Sequence, residues 1–355
     1  MKDDVLISQE NGVGRLRLNR PKAIHALTTE MCDAMSAALL RWHTDSNIQC
    51  IIIDHAEGRG FCAGGDVVML AKSGAGDTRK ARDFFFAEYR LNHLLFSYDK
   101  PTVVIMDGIT MGGGVGISLP CTYRVATENT RFAMPETGIG LFPDVGGGWY
   151  LPRLPGRVGQ FMALTGARLD GAECEYLGLA THYIPNASLE ELIERIHKAP
   201  DRLQGTLGAA SETAPDAKIS NNLPQITRLF ASDQLEEILS ALEADESDWA
   251  EKELITLRTK SPLSCKVSLR LLDDGATRAS FMDEMRAEYA LACHVVKTHD
   301  FNEGVTAVLI EKHNAPQWDP AMPEGVTDDM LDKLFAAMPM SEEWTPFPED
   351  SSSRA

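Results

Sequence analysis

The sequence predicts an α/β fold with a helical C-terminal region. Three observations carry this. Pairs of short apolar, β-branched runs alternate with helical stretches through the first 200 residues. Glycine loops follow the strand pairs, where the chain turns from strand to helix. Beyond residue 223 strand signals stop, and helical periodicity continues to about residue 340.

The elements follow in order. Residues 5–8 and 15–19 flank Glu10-Asn11-Gly12, and Asn-Gly between alternating runs predicts a hairpin. Pro21 ends the second strand. Thr28 or Thr29 caps a helix to about His43, with Met31, Met35, Ala38, Leu39 and Trp42 on one face. Cys50 to Asp54 is a short β-branched strand. A polar loop then leads through Phe61-Cys62-Ala63-Gly64-Gly65-Asp66 into a short apolar helix. Residues 79–97 read as a long helix, and residues 102–106 as a buried strand entering the turn Gly112–Gly116. Two more strands are expected at 124–127 and 131–134, and helices at 157–165 and 171–178. Ser188-Leu189-Glu190-Glu191 has the form of a capping box. The division expected is a core over 1–200, a polar linker or insertion at 201–222, a helical region over 223–340 and a polar tail at 341–355.

Composition sets the outer limits. The chain has 355 residues, 44% hydrophobic and 24% charged, an ordinary globular profile with room for a large core. Its net charge of −18 disfavours nucleic acid and anionic membrane as partners. An anionic small ligand held locally by a few cations and backbone N–H groups remains compatible. No apolar stretch approaches the roughly 18 residues of a membrane span. The acidic start (Asp3, Asp4) does not read as a signal or transit peptide. Seven scattered cysteines without C-x-x-C predict neither zinc nor disulfides and fit a reducing cytoplasm. The nine histidines show no metal spacing, so no metal is expected.

Residues 107–149 carry the strongest chemical signal. Gly112-Gly113-Gly114 after an apolar strand requires close approach of the backbone, by a ligand or by another element. Gly64-Gly65 makes a second strand-to-helix turn. An ordinary turn with Asp66 as a cap competes there, and tight strand–helix packing competes at Gly112–Gly114. Together, two such turns can supply two N–H donors to a developing oxyanion. Glu136 and Asp144 follow on Pro/Gly-rich loops, where a solvated carboxylate and a helix N-cap are the plain alternatives. Glu88 shares a helix face with Phe84, Leu91 and Leu95, so it is either paired or raised in pKa by desolvation. There is no G-x-x-x-x-G-K-[ST], no G-x-G-x-x-G in a βαβ frame and no G-x-S-x-G, so nucleotide-binding loops and a serine nucleophile have no support.

Several stretches together resemble the enoyl-CoA hydratase/isomerase (crotonase) superfamily. They are Asn19-Arg20-Pro21-Lys22-Ala23, the loop 61–66, the turn Gly112–Gly116 and Phe132-Ala133-Met134-Pro135-Glu136 through Asp144. Ser261-Pro262 and the stretch 299–312 extend the likeness to about residue 338. The resemblance implies a crotonase-like spiral of repeated ββα units and an acyl-CoA substrate, with CoA part of that substrate and no other cofactor. By motif position, Gly65 and Gly113 supply the oxyanion hole, Glu136 is the catalytic carboxylate and Asp144 its partner. Glu88, Gly113, Glu136 and Asp144 contact the acyl end, and Lys22, Ala63 and Asp66 contact CoA. Hydratases of the family carry a second glutamate at the position of Gly116. Its absence, with Asp144 present, favours hydrolysis of a short hydroxyacyl-CoA thioester, 3-hydroxyisobutyryl-CoA of valine breakdown foremost. A hydratase or isomerase of the same fold and a non-catalytic CoA-binding protein are the rivals. His25 stands where Asn is usual, which leaves the local loop open. The family often forms trimers, but the helical region here could instead cover the core of its own chain.

Overall fold

The structure, a computed structural model, describes residues 3–348. Strands β1 (Val5–Glu10) and β2 (Val13–Leu18) form the expected antiparallel hairpin, turned by Asn11 and Gly12, both left-handed. Helix α1 (Thr29–Thr44) starts where Thr28 accepts a hydrogen bond from Met31 N. The chain then repeats one move three times. The first strand of each pair joins a six-stranded sheet and the second joins a three-stranded sheet. The pairs are β3 (Cys50–His55) with β4 (Gly60–Cys62), β5 (Thr102–Met106) with β6 (Ile109–Met111), and β7 (Tyr123–Ala126) with β8 (Arg131–Ala133). With β9 (His182–Tyr183) the sheet orders are β1-β2-β3-β5-β7-β9 and β4-β6-β8, and every pair beyond the hairpin is parallel.

Strand β3 shows why it reads as a continuous apolar run. Ile51 and Ile53 enter the main core, which includes Leu39, Trp42 and Phe61. Cys50 and Ile52 enter a second core closed by Leu192, Ile196, Leu203 and Leu207. Both faces are covered, as parallel strands require. The three-stranded sheet positions the chemistry. Gly60 pairs Ile109 and Ile109 pairs Arg131, so the loops leaving β4, β6 and β8 start side by side. Ligands of parallel sheets bind at these carboxyl ends. Helices α2 (Val67–Gly74) and α3 (Arg79–Phe96) follow the first of the loops.

Three expectations are corrected. Ser188 makes no side-chain cap; a 3-10 turn, Asn186–Ser188, runs straight into the helix Leu189–Lys198, whereas Asp170 with Glu173 does form a capping box. Residues 201–222 are not only a polar link. The helix Leu203–Ala210 buries Leu203 and Leu207, four apart on one face, against the second core. The tail is anchored up to residue 348. Trp344 is fully buried and donates to Phe86 O at 3.3 Å, Glu342 pairs with Arg82, and Arg90 donates to Thr345 O. The rest of the expected tail, residues 349–355, lies outside the described residues. From residue 219 to 310 the chain is helical apart from short links, as expected for that region, and the helices Pro262–Thr277 and Phe281–Val295 pack on the core.

Candidate active site

The loops after β4, β6 and β8 enclose a cavity of about 710 Å³. Gly65, Glu88, Gly113, Glu136, Asp144 and Lys260 line it.

The two glycine turns touch each other. Leu27 N donates to Gly64 O at 2.8 Å and Asp66 N donates to Leu27 O at 3.0 Å, which fixes the first turn. A Cβ built on Gly113 would lie 3.3 Å from the Gly64 carbonyl carbon. Gly112 has φ 49° and ψ −121°, a conformation glycine adopts without strain. Among the described residues neither Gly65 N nor Gly113 N donates to a protein acceptor. Two adjacent uncommitted N–H groups on a cavity wall are suited to an oxyanion. Any side chain at Gly65 would strike Phe84, 2.7 Å from the Cβ position, and one at Gly113 would strike Glu88 Oε1.

Three carboxyl groups face this wall from three elements. Glu88 projects from α3 among Phe84, Leu91 and Leu95, is 2% exposed, and leaves Oε1 without a hydrogen bond. Burial pushes its pKa well up, and the nearby Asp144 charge adds to the shift. Glu136 opens the 3-10 turn Glu136–Ile139, its Oε1 3.3 Å from a Cβ built on Gly112. It is 4% exposed, its Oε2 has no partner, and burial and then Asp144 hold its pKa well above the usual carboxylate range. Asp144 is not the helix cap that its sequence position also allowed, since Gly146 holds that place before Gly147–Tyr150. It accepts a hydrogen bond from Tyr89 Oη at 2.8 Å. Burial raises its pKa from 3.8 to about 6 against the lowering effect of that bond.

The remaining positions divide. Ala63 lines the cavity, while Lys22 and Asp66 are not among its lining residues. Lys22 lies in the 3-10 turn Pro21–Ala23. Asp66 caps α2 by accepting from Met69 N and pairs with Arg20 at 3.6 Å, the plain role. His25 is a buried structural residue. Its Nδ1 accepts from Arg20 N and its Nε2 lies 2.9 Å from Glu57 O, so a neutral ring replaces the usual amide as a bridge. Gly116 faces away from open space; a Cβ there would lie 2.5 Å from Val145 Cβ and 2.9 Å from Asn92 Nδ2.

Sequence reasoning missed Tyr89 and the basic rim. Arg131, Arg168 and Lys260 line the cavity, and among the described residues none of them pairs with a carboxylate. Lys260 is positioned by its neighbour: Ser261 N donates to Thr137 O at 3.1 Å, one residue past Glu136. Tyr89 immediately follows the singled-out Glu88, and that adjacency was the available signal.

Residues 13–335 match the family pattern described as enoyl-CoA hydratase/isomerase. The chain is 40% identical over 348 residues to a protein of Xenopus tropicalis named 3-hydroxyisobutyryl-CoA hydrolase, mitochondrial, covering 96% of this chain and 90% of that one. It is 38% identical over 350 residues to the human protein of the same name, again covering 96% and 90%. Among solved structures, a carnitinyl-CoA dehydratase from Mycobacterium thermoresistibile superposes with TM-score 0.93 at 39% identity, covering 98% of this chain and all of that one. An enoyl-CoA hydratase from Rhodobacter sphaeroides 2.4.1 superposes with TM-score 0.89 at 36% identity, covering 97% and 100%. These proteins carry the names of different reactions on one fold, so the fold does not choose among them. With its pattern, its relatives and its spiral of strand pairs in agreement, the chain belongs to the enoyl-CoA hydratase/isomerase family.

Proposed function

We propose that the protein is an acyl-CoA thioester hydrolase that cleaves 3-hydroxyisobutyryl-CoA to 3-hydroxyisobutyrate and CoA. The observation that carries this is the packing at Gly116. Val145 crowds that position, so no glutamate stands there; the other glutamate of the wall, Glu88, comes from α3. Hydration across a double bond, in the family reading, uses two glutamates on one water. A thioester hydrolase needs one base or nucleophile at the carbonyl carbon and donors for the oxyanion. The hydrolase names of relatives at about 40% identity support the same reading.

In this reading the thioester oxygen lies against Gly65 N and Gly113 N. Water, or Glu136 itself, attacks the carbonyl carbon, and the electron pair moves to the oxygen held by the two N–H groups. Collapse breaks the C–S bond and the thiolate leaves with a proton. If Glu136 attacks first, water then hydrolyses the mixed anhydride. A glutamate raised in pKa by burial is a stronger base than an exposed one. Asp144 orients the substrate hydroxyl or water, or assists proton transfer to the leaving sulfur. Glu88, whose burial favours the neutral form, can donate a hydrogen bond at the acyl end. Arg131, Arg168 and Lys260 face the phosphates of CoA. The chemistry asks for no metal or redox group.

Among the described residues no helix is long and apolar enough to cross a membrane. All seven cysteines are free and buried, which supports a reducing compartment, the cytoplasm in our reading; the relatives compared are named mitochondrial. The test is free-thiol release from 3-hydroxyisobutyryl-CoA beside hydration of crotonyl-CoA. Fast thiol release with little hydration supports hydrolysis, and comparable hydration supports the rival.

A further inference from the structure

The loop carrying Asp144 has an unusual backbone. Val145 has φ 52° and Gly146 φ 94°, so a β-branched residue is held in the left-handed region directly beside the carboxylate. Such a conformation persists only where its surroundings over-determine it. Asp144 O accepts from Gly147 N at 2.8 Å, which closes the turn but leaves Gly146 N and Gly148 N without local acceptors. Glu288 supplies both. It comes from the helix Phe281–Val295, 142 residues away in sequence from Gly146. Gly146 N donates to Glu288 Oε2 at 2.8 Å and Gly148 N donates to Glu288 Oε1 at 3.0 Å. The carboxyl group is fully buried and spans the turn with one oxygen on each N–H. The neighbouring Glu284, also fully buried, pairs with Arg278 at 2.8 Å and touches neither N–H.

We infer that Glu288 is a positioning residue for the hydrolytic site: by bridging Gly146 N and Gly148 N it sets the left-handed turn that aims Asp144 into the cavity, opposite the grip of Tyr89. The role belongs to the helical C-terminal region and gives that region a part in the chemistry beyond covering the core. Only an acceptor on both oxygens can do this. A glutamine presents one oxygen and one NH₂, and the NH₂ would face an N–H.

This rests on the hydrolase reading, so the experiment first requires thiol release by the wild-type protein; its absence would defeat that reading and not the inference. Glu288→Gln is expected to lower kcat roughly tenfold or more through displacement of Asp144, with KM within about twofold. A scaffold role alone would instead lower the melting temperature and the active fraction. The decisive arm is a cycle with Asp144→Asn. If Glu288 acts through Asp144, the double variant is no slower than Asp144→Asn alone. Glu288→Asp, which keeps the carboxyl group with a shorter reach, covers the case in which Glu288→Gln does not fold and should give an intermediate kcat. The inference is overturned by wild-type kcat in either variant, by multiplicative losses in the cycle, or by failure of both variants to fold.

Discussion

Gly116→Ala probes the contact on which the choice of reaction rests. The added Cβ would lie 2.5 Å from Val145 Cβ, well inside contact distance, and 2.9 Å from Asn92 Nδ2. Val145 and Asn92 are both buried, so neither can yield by moving into solvent. Overpacking of this kind costs about 2 kcal/mol. With about 2.1 cal/mol/K of unfolding entropy per residue over 355 residues, that lowers the melting temperature by about 3 °C. The activity effect should be larger. Val145 adjoins Asp144, and a shift of about 1 Å at a reacting group can cost on the order of 10²-fold in rate. Gly116→Glu should lose more stability and gain no hydration of crotonyl-CoA, because Val145 and Asn92 crowd even a Cβ at that position. Melting curves and parallel thiol-release and hydration assays read all of this. A Gly116→Glu protein of wild-type stability that hydrates crotonyl-CoA would refute the argument that Val145 excludes a glutamate at this position.

Further outcomes follow from the same cavity. Glu136→Gln should reduce thiol release by on the order of 10³-fold or more while raising the unfolding free energy at pH 8, since it removes a buried carboxyl group with an unpaired oxygen; urea titration beside the rate measurement checks both. Tyr89→Phe removes the bond that lowers the Asp144 pKa, so the acid limb of the kcat profile should move to higher pH if Asp144 works ionised. Because the folded pKa of Asp144, about 6, exceeds the ordinary 3.8, the native state holds the proton more tightly. Its stabilising effect is full below 3.8 and is lost as pH rises through about 6, worth about 3 kcal/mol. Asp144→Asn should therefore show a smaller fall in stability between pH 5 and pH 8. Lys260→Ala should raise KM for the CoA thioester severalfold but leave the N-acetylcysteamine thioester unaffected; an equal change in both would remove Lys260 from the phosphates.

Much of this was legible where the signal was local. Asn11-Gly12 announced its hairpin because the turn needs two left-handed residues in succession. The spacing of Phe84, Glu88, Leu91 and Leu95 announced a carboxyl group on an apolar stripe, and the helix buries all four. Gly65, Gly113, Glu136 and Asp144 line one cavity, because they lie on the segments that follow β4, β6 and β8. The threefold strand repeat was expected from the family resemblance and not from any period in the residues, because the second strand of each pair has three residues, too few for a period to show in sequence. Trp344 and Leu203 sat in stretches that read as polar, where one or two apolar anchors decide the packing. Glu288 and Lys260 lie far along the chain from the loops they serve, and no local pattern distinguishes them from the many exposed acids and bases of a helical surface.

The central claim is tested most directly by incubating the purified protein with 3-hydroxyisobutyryl-CoA and following free thiol against time, with Glu136→Gln and crotonyl-CoA as the two controls. Stoichiometric thiol release that depends on Glu136, with crotonyl-CoA left largely unhydrated, is the predicted result. No thiol from any short hydroxyacyl-CoA, or efficient loss of the enoyl absorbance of crotonyl-CoA, would contradict it.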